Sequence, residues 1–191
     1  AIQEFTNQNI ESIEIYNPNL RWKVDCKAFK KLCGLKVDKI SRRAKYILLH
    51  IDKSQILIHL GMTGTLRIAD KNSNFYKKHD HIEFIFQSGK LIFNDPRRFG
   101  SMHYITKPSS HFLLEKLGPE PLSEEFNGDY LFQKIKKSFS PIKNTLMNQH
   151  NVVGIGNIYA NEILFDAKIR PTRKSKTITK KEHHKIAAST K

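Results

Sequence analysis

The chain has 191 residues, and its 33 lysines and arginines outnumber its 18 aspartates and glutamates, which gives a formal net charge of +15. This excess favours a polyanionic partner such as nucleic acid, although a basic ribosomal or RNA-binding protein would show the same bias. No apolar run approaches the roughly 20 residues that span a bilayer, and no signal peptide is apparent. Two cysteines cannot by themselves complete a four-ligand zinc site, so both are expected to be reduced thiols of an intracellular protein.

The first hundred residues are predicted to be rich in β-strands. Residues 45–51 and 55–60 are short apolar runs separated by an Asp-Lys-Ser turn, which is typical of strands buried on both faces. Residues 81–87 carry apolar side chains at every second position. Ser88-Gly89 then predicts a two-residue hairpin into a further strand over 90–93. Successive strands joined by tight turns indicate an antiparallel sandwich or barrel.

Two strand ends carry side chains suited to DNA contacts. Lys45 lies at the mouth of a strand, where its ammonium can bind a phosphate or, if desolvated, transfer a proton; a solvated basic turn is the alternative. His59 and Met62 lie beside two glycines at the end of the next strand. His59 can donate to a phosphate, and Met62 is either a wedge for a base stack or an ordinary core residue.

The segment Lys-Lys-His-Asp-His at residues 77–81 suggests a metal site, but no third ligand lies nearby in the sequence. We therefore interpret His79 as a phosphate or sugar contact. Asp80 and His81 are interpreted as structural residues.

The segment Asn-Asp-Pro-Arg-Arg-Phe-Gly at residues 94–100 is the most informative part of the chain. It places two guanidinium groups and a phenyl ring on a tight Asp-Pro turn at the end of a strand. Arginine can donate to bases and phosphates, and an aromatic ring can enter a base stack. Arg97 and Phe99 are therefore candidate DNA contacts; an ordinary turn with solvated arginines is the alternative.

The character of the sequence changes near residue 105. The stretches 107–110 and 118–121 are rich in proline, serine or glycine, which indicates a linker, and the patterns beyond them are helical. We predict an α+β chain with an N-terminal β-sandwich domain over residues 1–118 and a helical domain over residues 119–191.

Two helix starts can be read from the sequence of the second domain. Ser140 is a suitable N-cap residue, and Pro141 follows it at the first helical position. Thr179, with a glutamate three residues later, predicts a capping box that opens the last helix.

A glycine turn also enters a helix at residues 152–162. Gly154 and Gly156 allow the backbone to approach a ligand closely, and a helix N-terminus offers unpaired N–H donors to an anion. Asn157 adds a side-chain donor at this point. In a basic chain we interpret the turn as a phosphate site, with a plain connection between helices as the alternative.

Taken in order, these segments resemble one family, the bacterial formamidopyrimidine-DNA glycosylases, which remove 8-oxoguanine and ring-opened purines. The resemblance runs from about residue 20 to residue 171. It rests on Arg-Arg-Ala-Lys-Tyr, His-Leu-Gly-Met-Thr-Gly, Lys-His-Asp-His, Asn-Asp-Pro-Arg-Arg-Phe-Gly, Leu-Gly-Pro-Glu-Pro-Leu and Gly-Ile-Gly-Asn-Ile-Tyr-Ala-Asn-Glu. It implies a β-sandwich followed by a helix–two-turn–helix module, and double-stranded DNA with an oxidised purine or an abasic site as the partner of a monomer.

The resemblance also implies a role for each candidate residue. Phosphates beside the lesion would be bound by Lys45, His59 and Asn157, with His79 as a further DNA contact. Lys45 would also take part in proton transfer during strand cleavage. The gap left by the flipped base would be filled by Met62, Arg97 and Phe99, with Arg97 bonded to the orphaned cytosine. A basic residue of the family near Lys137 also contacts DNA, and Ser138 is expected at its position.

The chain departs from the family at both ends. The family's nucleophile is an N-terminal proline followed by glutamate, whereas this sequence opens Ala-Ile-Gln-Glu-Phe. The family's four-cysteine zinc ribbon would follow residue 191. We therefore expect zinc in that segment and no cofactor within these residues. The 191-residue polypeptide is expected to be a truncated, inactive form of a bifunctional glycosylase and abasic-site lyase of the bacterial cytoplasm and nucleoid. A non-catalytic lesion-binding protein derived from the family is the alternative.

Overall fold

The structure is a computed structural model that describes residues 1–73, 76–107 and 111–191. The chain divides into two compact units, residues 1–111 and 112–191. Residues 108–110, which belong to the predicted linker, lie outside the described residues. The domain boundary between residues 118 and 119 stays a prediction.

The first unit is built on two four-stranded antiparallel sheets. Its strands are β1 (Ser12–Ile15), β2 (Lys39–Arg43), β3 (Tyr46–Ile51), β4 (Ser54–His59), β5 (Thr65–Ala69), β6 (Asp80–Phe86), β7 (Gly89–Asn94) and β8 (Ser101–Ile105). One sheet has the order β1-β6-β7-β5, and the other has the order β2-β3-β4-β8. A short helix, α1 (Cys26–Lys30), precedes β2, and a 3₁₀ turn covers Ile2–Phe5.

The two sheets enclose one hydrophobic core. Phe84 and Phe93 come from the first sheet, Leu49 and Ile56 come from the second, and all four side chains are fully buried in a single cluster. The runs in β3 and β4 are almost continuously apolar because most of their side chains are buried. This arrangement confirms the predicted antiparallel β-sandwich.

The hairpin between β6 and β7 differs by one residue from the prediction. Phe86 pairs with Gly89, so the two connecting residues are Gln87 and Ser88. Gly89 belongs to β7, where a Cβ atom would lie 2.8 Å from the carbonyl oxygen of Ala69 in the neighbouring strand. The glycine is therefore explained by this close strand approach, which the local sequence does not reveal.

The second unit is helical. Its helices are α2 (Gly128–Ile135), α3 (Ile142–Met147), α4 (Asn157–Asp166) and α5 (Lys180–Thr190), with a 3₁₀ turn at Ser175–Thr177. Buried residues of all four helices form one core, including Leu131, Leu146, Leu164 and Ile186. Among the described residues, no helix is both long enough and apolar enough to cross a membrane. The α+β architecture predicted from the sequence is thus confirmed.

One of the two predicted helix starts is confirmed, and the other is shifted. Thr179 Oγ1 accepts from the backbone N–H of Glu182, whose carboxylate accepts in return from the Thr179 N–H, so the capping box is present. Pro141, however, is the N-cap residue of α3 and not its first helical residue. Its ψ of 141° is not helical, and it forms an isolated β-bridge with Lys174, a contact distant in sequence.

Candidate nucleic-acid interface

Lys45 lies in the turn that joins β2 to β3. Arg43 pairs with Tyr46, which leaves Ala44 and Lys45 as the connecting residues. Ala44 has a positive φ of 54°, and Arg42 Nη1 donates to its carbonyl oxygen at 2.8 Å. The Lys45 side chain is exposed, but partial desolvation still lowers the pKa of its ammonium group. The turn therefore presents a cation whose proton is held less firmly than that of an ordinary surface lysine.

His59 is the last residue of β4 and pairs with Tyr46. The Gly61 N–H donates to His59 Nδ1 at 3.0 Å. Because an amide nitrogen only donates, Nδ1 is the unprotonated nitrogen, and Nε2 carries the proton of the neutral ring. Burial lowers the pKa of the imidazole, and the positive charges of Arg21 and Lys45 lower it further. His59 is thus a neutral donor beside two cations, which suits a phosphate oxygen.

Met62 projects from the loop that follows β4. Its side chain is 73% exposed, which excludes the core-packing alternative. Gly61, the preceding residue, has a φ of +66°, and a Cβ atom there would lie 2.6 Å from backbone atoms of both Phe99 and Gly100. The loop therefore lies directly against the backbone of the 95–100 turn, and only glycine fits at this contact.

The turn at residues 95–100 is organised around a buried carboxylate. Asp95 is fully buried, and its Oδ2 accepts from the Gly100 N–H at 2.7 Å. Its Oδ1 accepts from Thr63 Oγ1 at 2.6 Å and from the Arg97 N–H at 3.3 Å. Phe99 is 45% exposed, and the Arg97 guanidinium lies 4.5 Å from the centre of its ring. The turn thus presents an arginine stacked on an aromatic ring, and hydrogen bonds to Asp95 hold the backbone that carries them.

The loop after β4 and the 95–100 turn border one cavity of about 750 Å³ in the first unit. Its lining consists of Asn19, Leu20, Arg21, His59, Gly61, Met62, Arg97, Arg98 and Phe99. Four predicted site residues, His59, Met62, Arg97 and Phe99, therefore meet at one place. The charge of Lys45 also acts on His59.

Arg21 is a candidate that the sequence analysis missed. Its N–H donates to the Gly100 carbonyl oxygen at 3.1 Å, and its guanidinium lies 4.7 Å from the centre of the Trp22 ring. The arginine is exposed and lines the cavity with His59. Its segment carries no recognisable motif, so its place at the site follows from three-dimensional contacts alone.

The 77–81 segment is attached to the same turn. His79 has a φ of +76°, and its carbonyl oxygen accepts from the Asp95 N–H at 3.1 Å. Asp80 is buried and pairs with Arg67 at 2.6 Å, while His81 Nε2 donates to the Asp95 carbonyl oxygen at 2.8 Å. These contacts support the structural interpretation of Asp80 and His81. No group of three or more potential metal ligands occurs among the described residues.

In the second unit, Asn157 is the first residue of α4. Gly154 has a φ of +79°, and Gly156 is the N-cap residue without a side-chain cap. Asn157 is exposed, and the first N–H groups of any helix lack partners within that helix. The predicted glycine turn into a helix is therefore present, with donors suited to an anion.

Ser138, the position expected to match a basic DNA contact, lies in the loop between α2 and α3, and this loop is hydrogen-bonded to the 3₁₀ turn at Ser175–Thr177. The Lys176 N–H donates to the Ser138 carbonyl oxygen at 2.9 Å. Lys176 Nζ lies 3.8 Å from the centre of the Phe139 ring, and Phe139 is 68% exposed. A cation therefore stands beside Ser138, although it belongs to a different segment.

The fold and these contacts define a class of protein. It has a two-sheet β-sandwich with a cavity lined by basic and aromatic side chains, followed by a helical unit in which a glycine turn leads into a helix N-terminus. Comparison with known proteins identifies the family. The family model described as the Formamidopyrimidine-DNA glycosylase N-terminal domain matches residues 2–102, and the one described as the Formamidopyrimidine-DNA glycosylase H2TH domain matches residues 117–191. The chain belongs to the formamidopyrimidine-DNA glycosylase family.

Individual relatives agree with this assignment. The chain is 47% identical over 186 residues to the Formamidopyrimidine-DNA glycosylase of Hydrogenovibrio crunogenus, covering 96% of this chain and 66% of that protein. It is 44% identical to the protein of the same name from Marinobacter nauticus, covering 94% and 67% of the two chains. It thus spans about two thirds of the length of these curated relatives.

Solved structures of the Lactococcus lactis enzyme are similar to this fold. One, a complex with DNA containing Fapy-dG, has a TM-score of 0.91 at 34% identity and covers 99% of this chain and 72% of that chain. Another, bound non-covalently to DNA with an abasic site, has a TM-score of 0.89 at 34% identity and covers 97% and 72%.

Proposed function

We propose that this chain belongs to a bifunctional DNA glycosylase and abasic-site lyase that removes 8-oxoguanine and formamidopyrimidines during base-excision repair. The observation that carries the proposal is the convergence of Met62, Arg97 and Phe99 on one cavity beside His59. An enzyme that acts on a base within a duplex must extrude the nucleotide and fill its place. These three side chains supply an apolar wedge, an aromatic ring and a base-bonding cation.

The gap-filling roles follow from exposure and chemistry. Met62 is a flexible apolar side chain that costs little to insert into a base stack, because it is already exposed. Phe99 can stack on a neighbouring base. Arg97 carries paired donors that suit the acceptors of an orphaned cytosine, and its stacking on Phe99 limits its conformational freedom before DNA arrives.

Phosphate contacts would hold the strand at the flipped nucleotide. His59 offers the Nε2 donor, Lys45 offers an ammonium, and Arg21 adds a guanidinium on the same cavity. Asn157, with the N-terminus of α4, offers neutral donors to another phosphate. His79 is proposed as a further DNA contact. The partner is double-stranded DNA carrying an oxidised purine or abasic site, bound by a monomer, and the site of action is the nucleoid in the bacterial cytoplasm.

The covalent chemistry requires an amine that attacks C1′ of the sugar and forms a Schiff base. In the family this amine is an N-terminal proline, which residues 1–5 do not match. We propose that Lys45 transfers a proton during strand cleavage, because its pKa is lowered by desolvation and its charge acts on His59. We propose that the zinc implied by the family resemblance is bound by a four-cysteine segment of the whole protein; Cys26 and Cys33 are free thiols.

Borohydride trapping tests where the covalent chemistry resides. We expect the 191-residue polypeptide to bind a duplex with an abasic site but to form no trapped adduct on it or on an 8-oxoguanine:cytosine duplex. A covalent adduct would contradict this expectation and would point to another amine, with Lys45 the first to replace. Absence of binding to either duplex, measured by gel shift, would count against the proposed DNA-binding role itself.

Replacing Arg97 by alanine tests the gap-filling proposal. We expect Arg97→Ala to reduce the preference for cytosine over adenine opposite an abasic site by about 10-fold, because a bidentate base contact contributes roughly 1–3 kcal/mol of discrimination. Fluorescence anisotropy with the two duplexes measures this preference directly.

Two further variants separate base recognition from charge. Lys45→Ala should weaken binding to both duplexes equally and lower the salt slope by about 1. Lys27→Ala, on the exposed side of α1, is the matched control and should leave both quantities unchanged. If Arg97→Ala behaves like Lys45→Ala, Arg97 is a phosphate contact and not a base contact.

A further inference from the structure

The two loops that carry the gap-filling side chains are joined by a hydrogen bond between side chains. Thr63 Oγ1, next to Met62, donates to Asp95 Oδ1 at 2.6 Å. The same oxygen accepts from the Arg97 N–H at 3.3 Å. Asp95 is fully buried, so this carboxylate has a fixed position from which it reaches both loops.

Backbone contacts leave little room between the same loops. A Cβ atom added at Gly61 would lie 2.6 Å from the backbone nitrogen of Gly100. A Cβ atom added at Gly100 would lie 2.7 Å from the carbonyl oxygen of His59. These contacts resist closer approach of the loops, but they do not resist separation. The strand pairs His59–Ser101 and Thr65–Asn94 hold the ends of the two loops together, and the Thr63–Asp95 hydrogen bond supplies an attraction between the loops themselves.

We propose that Thr63 is a positioning residue: its hydrogen bond to Asp95 fixes the spacing between Met62 and the Arg97–Phe99 pair before DNA is bound. The three side chains then enter the duplex as one preformed body. This inference rests on the proposed function. It assigns to Thr63 no contact with DNA; its effect is transmitted through Met62 and Arg97.

Preorganisation explains why such a bond would matter for binding. Loops that must be ordered during binding reduce affinity by the entropy of that ordering, whereas loops held in the bound spacing do not. Losing one hydrogen bond of this kind corresponds to about a five-fold loss of affinity. The loss should appear only where the gap is filled, so an undamaged duplex should be bound as before.

The experiment compares Thr63→Val, which removes the hydroxyl at constant shape, with Thr63→Ser, which retains it. Thr65→Val is the matched control, because Thr65 is exposed on the neighbouring strand β5. The probe is a duplex with a tetrahydrofuran abasic analogue opposite cytosine, carrying 2-aminopurine beside that cytosine. Its fluorescence reports local unstacking when the gap is entered, and anisotropy with the same duplex and an undamaged one gives the affinities.

We expect Thr63→Val to lose about five-fold in affinity for the abasic duplex, together with much of the 2-aminopurine signal at saturation. Thr63→Ser and Thr65→Val should keep both, and all variants should bind undamaged duplex alike. The inference is overturned if Thr63→Val retains affinity and signal, or if Thr63→Ser loses as much as Thr63→Val. It is also overturned if Thr63→Val lowers the Tm by more than about 8 °C, since the residue is then simply structural.

The wild-type chain separates this inference from the proposed function. If it shows no preference for the abasic duplex over undamaged DNA, the proposed function fails and the positioning role fails with it. If it shows the preference and Thr63→Val preserves it, only the positioning role is wrong.

Discussion

Replacing Asp95 by alanine is expected to lower the free energy of unfolding of the first unit by about 3 kcal/mol, because buried donors left without an acceptor cost roughly 1–3 kcal/mol each. The carboxylate of Asp95 is fully buried and accepts from the backbone N–H groups of Arg97 and Gly100 and from the Thr63 hydroxyl. Alanine supplies no acceptor for any of these three donors. The turn should then lose its shape, and binding to an abasic duplex should fall by more than it does for Arg97→Ala.

Urea unfolding followed by tryptophan fluorescence measures the free energy of unfolding of the first unit, which contains Asp95. Trp22 is the only tryptophan in the sequence, and it lies in the first unit. Asp95→Asn keeps the shape and one acceptor oxygen, so it should fall between wild type and Asp95→Ala. Asp70→Ala removes an exposed carboxylate and serves as the control. A loss below about 1 kcal/mol for Asp95→Ala would mean that water replaces the carboxylate and that the turn is not organised around it.

The sequence was sufficient for four of the eight strands that the structure describes and for most residues of the candidate site. Apolar runs and alternating patterns identify β3, β4 and β6, because burial of a strand leaves a local signature in residue order. His59, Met62, Arg97 and Phe99 belong to segments with unusual local chemistry, and the structure brings them to one cavity. Their roles in DNA binding remain predictions.

What the sequence did not reveal depends on contacts between distant segments. Thr63 and Asp95 are 32 residues apart, and nothing in either segment indicates their hydrogen bond. Arg21 is brought to the site by tertiary contacts, including the bond from its backbone N–H to the Gly100 carbonyl oxygen. The shifted start of α3 has the same origin, since the bridge between Pro141 and Lys174 overrides the local helix signal. Local rules thus predict elements, whereas the support of the site is tertiary.

A second large effect is expected from pH, through His103 in β8. Its ring packs against Trp22 and His111, with ring centres 5.4 Å and 5.2 Å away. Burial, and to a lesser extent the charge of the nearby His111, together lower the pKa of His103 from 6.5 to about 4. Above pH 6.5 the ring is neutral in both folded and unfolded states. Between pH 6.5 and pH 4 the unfolded chain binds a proton that the folded state does not bind, so stability falls as the pH falls.

This contribution amounts to as much as about 3 kcal/mol at pH 4, and His103→Phe should remove it, because phenylalanine keeps an aromatic ring against Trp22 but does not titrate. We expect the variant and the wild type to have similar urea midpoints at pH 7, and the variant to be clearly the more stable at pH 4.5. Trp22 fluorescence gives both midpoints. His184→Gln, in the second unit, should leave the pH dependence of this signal unchanged. The contrary result is that His103→Phe loses stability between pH 7 and pH 4.5 as steeply as the wild type. That result would mean that the acid sensitivity belongs to other groups and that folding does not lower the pKa of His103.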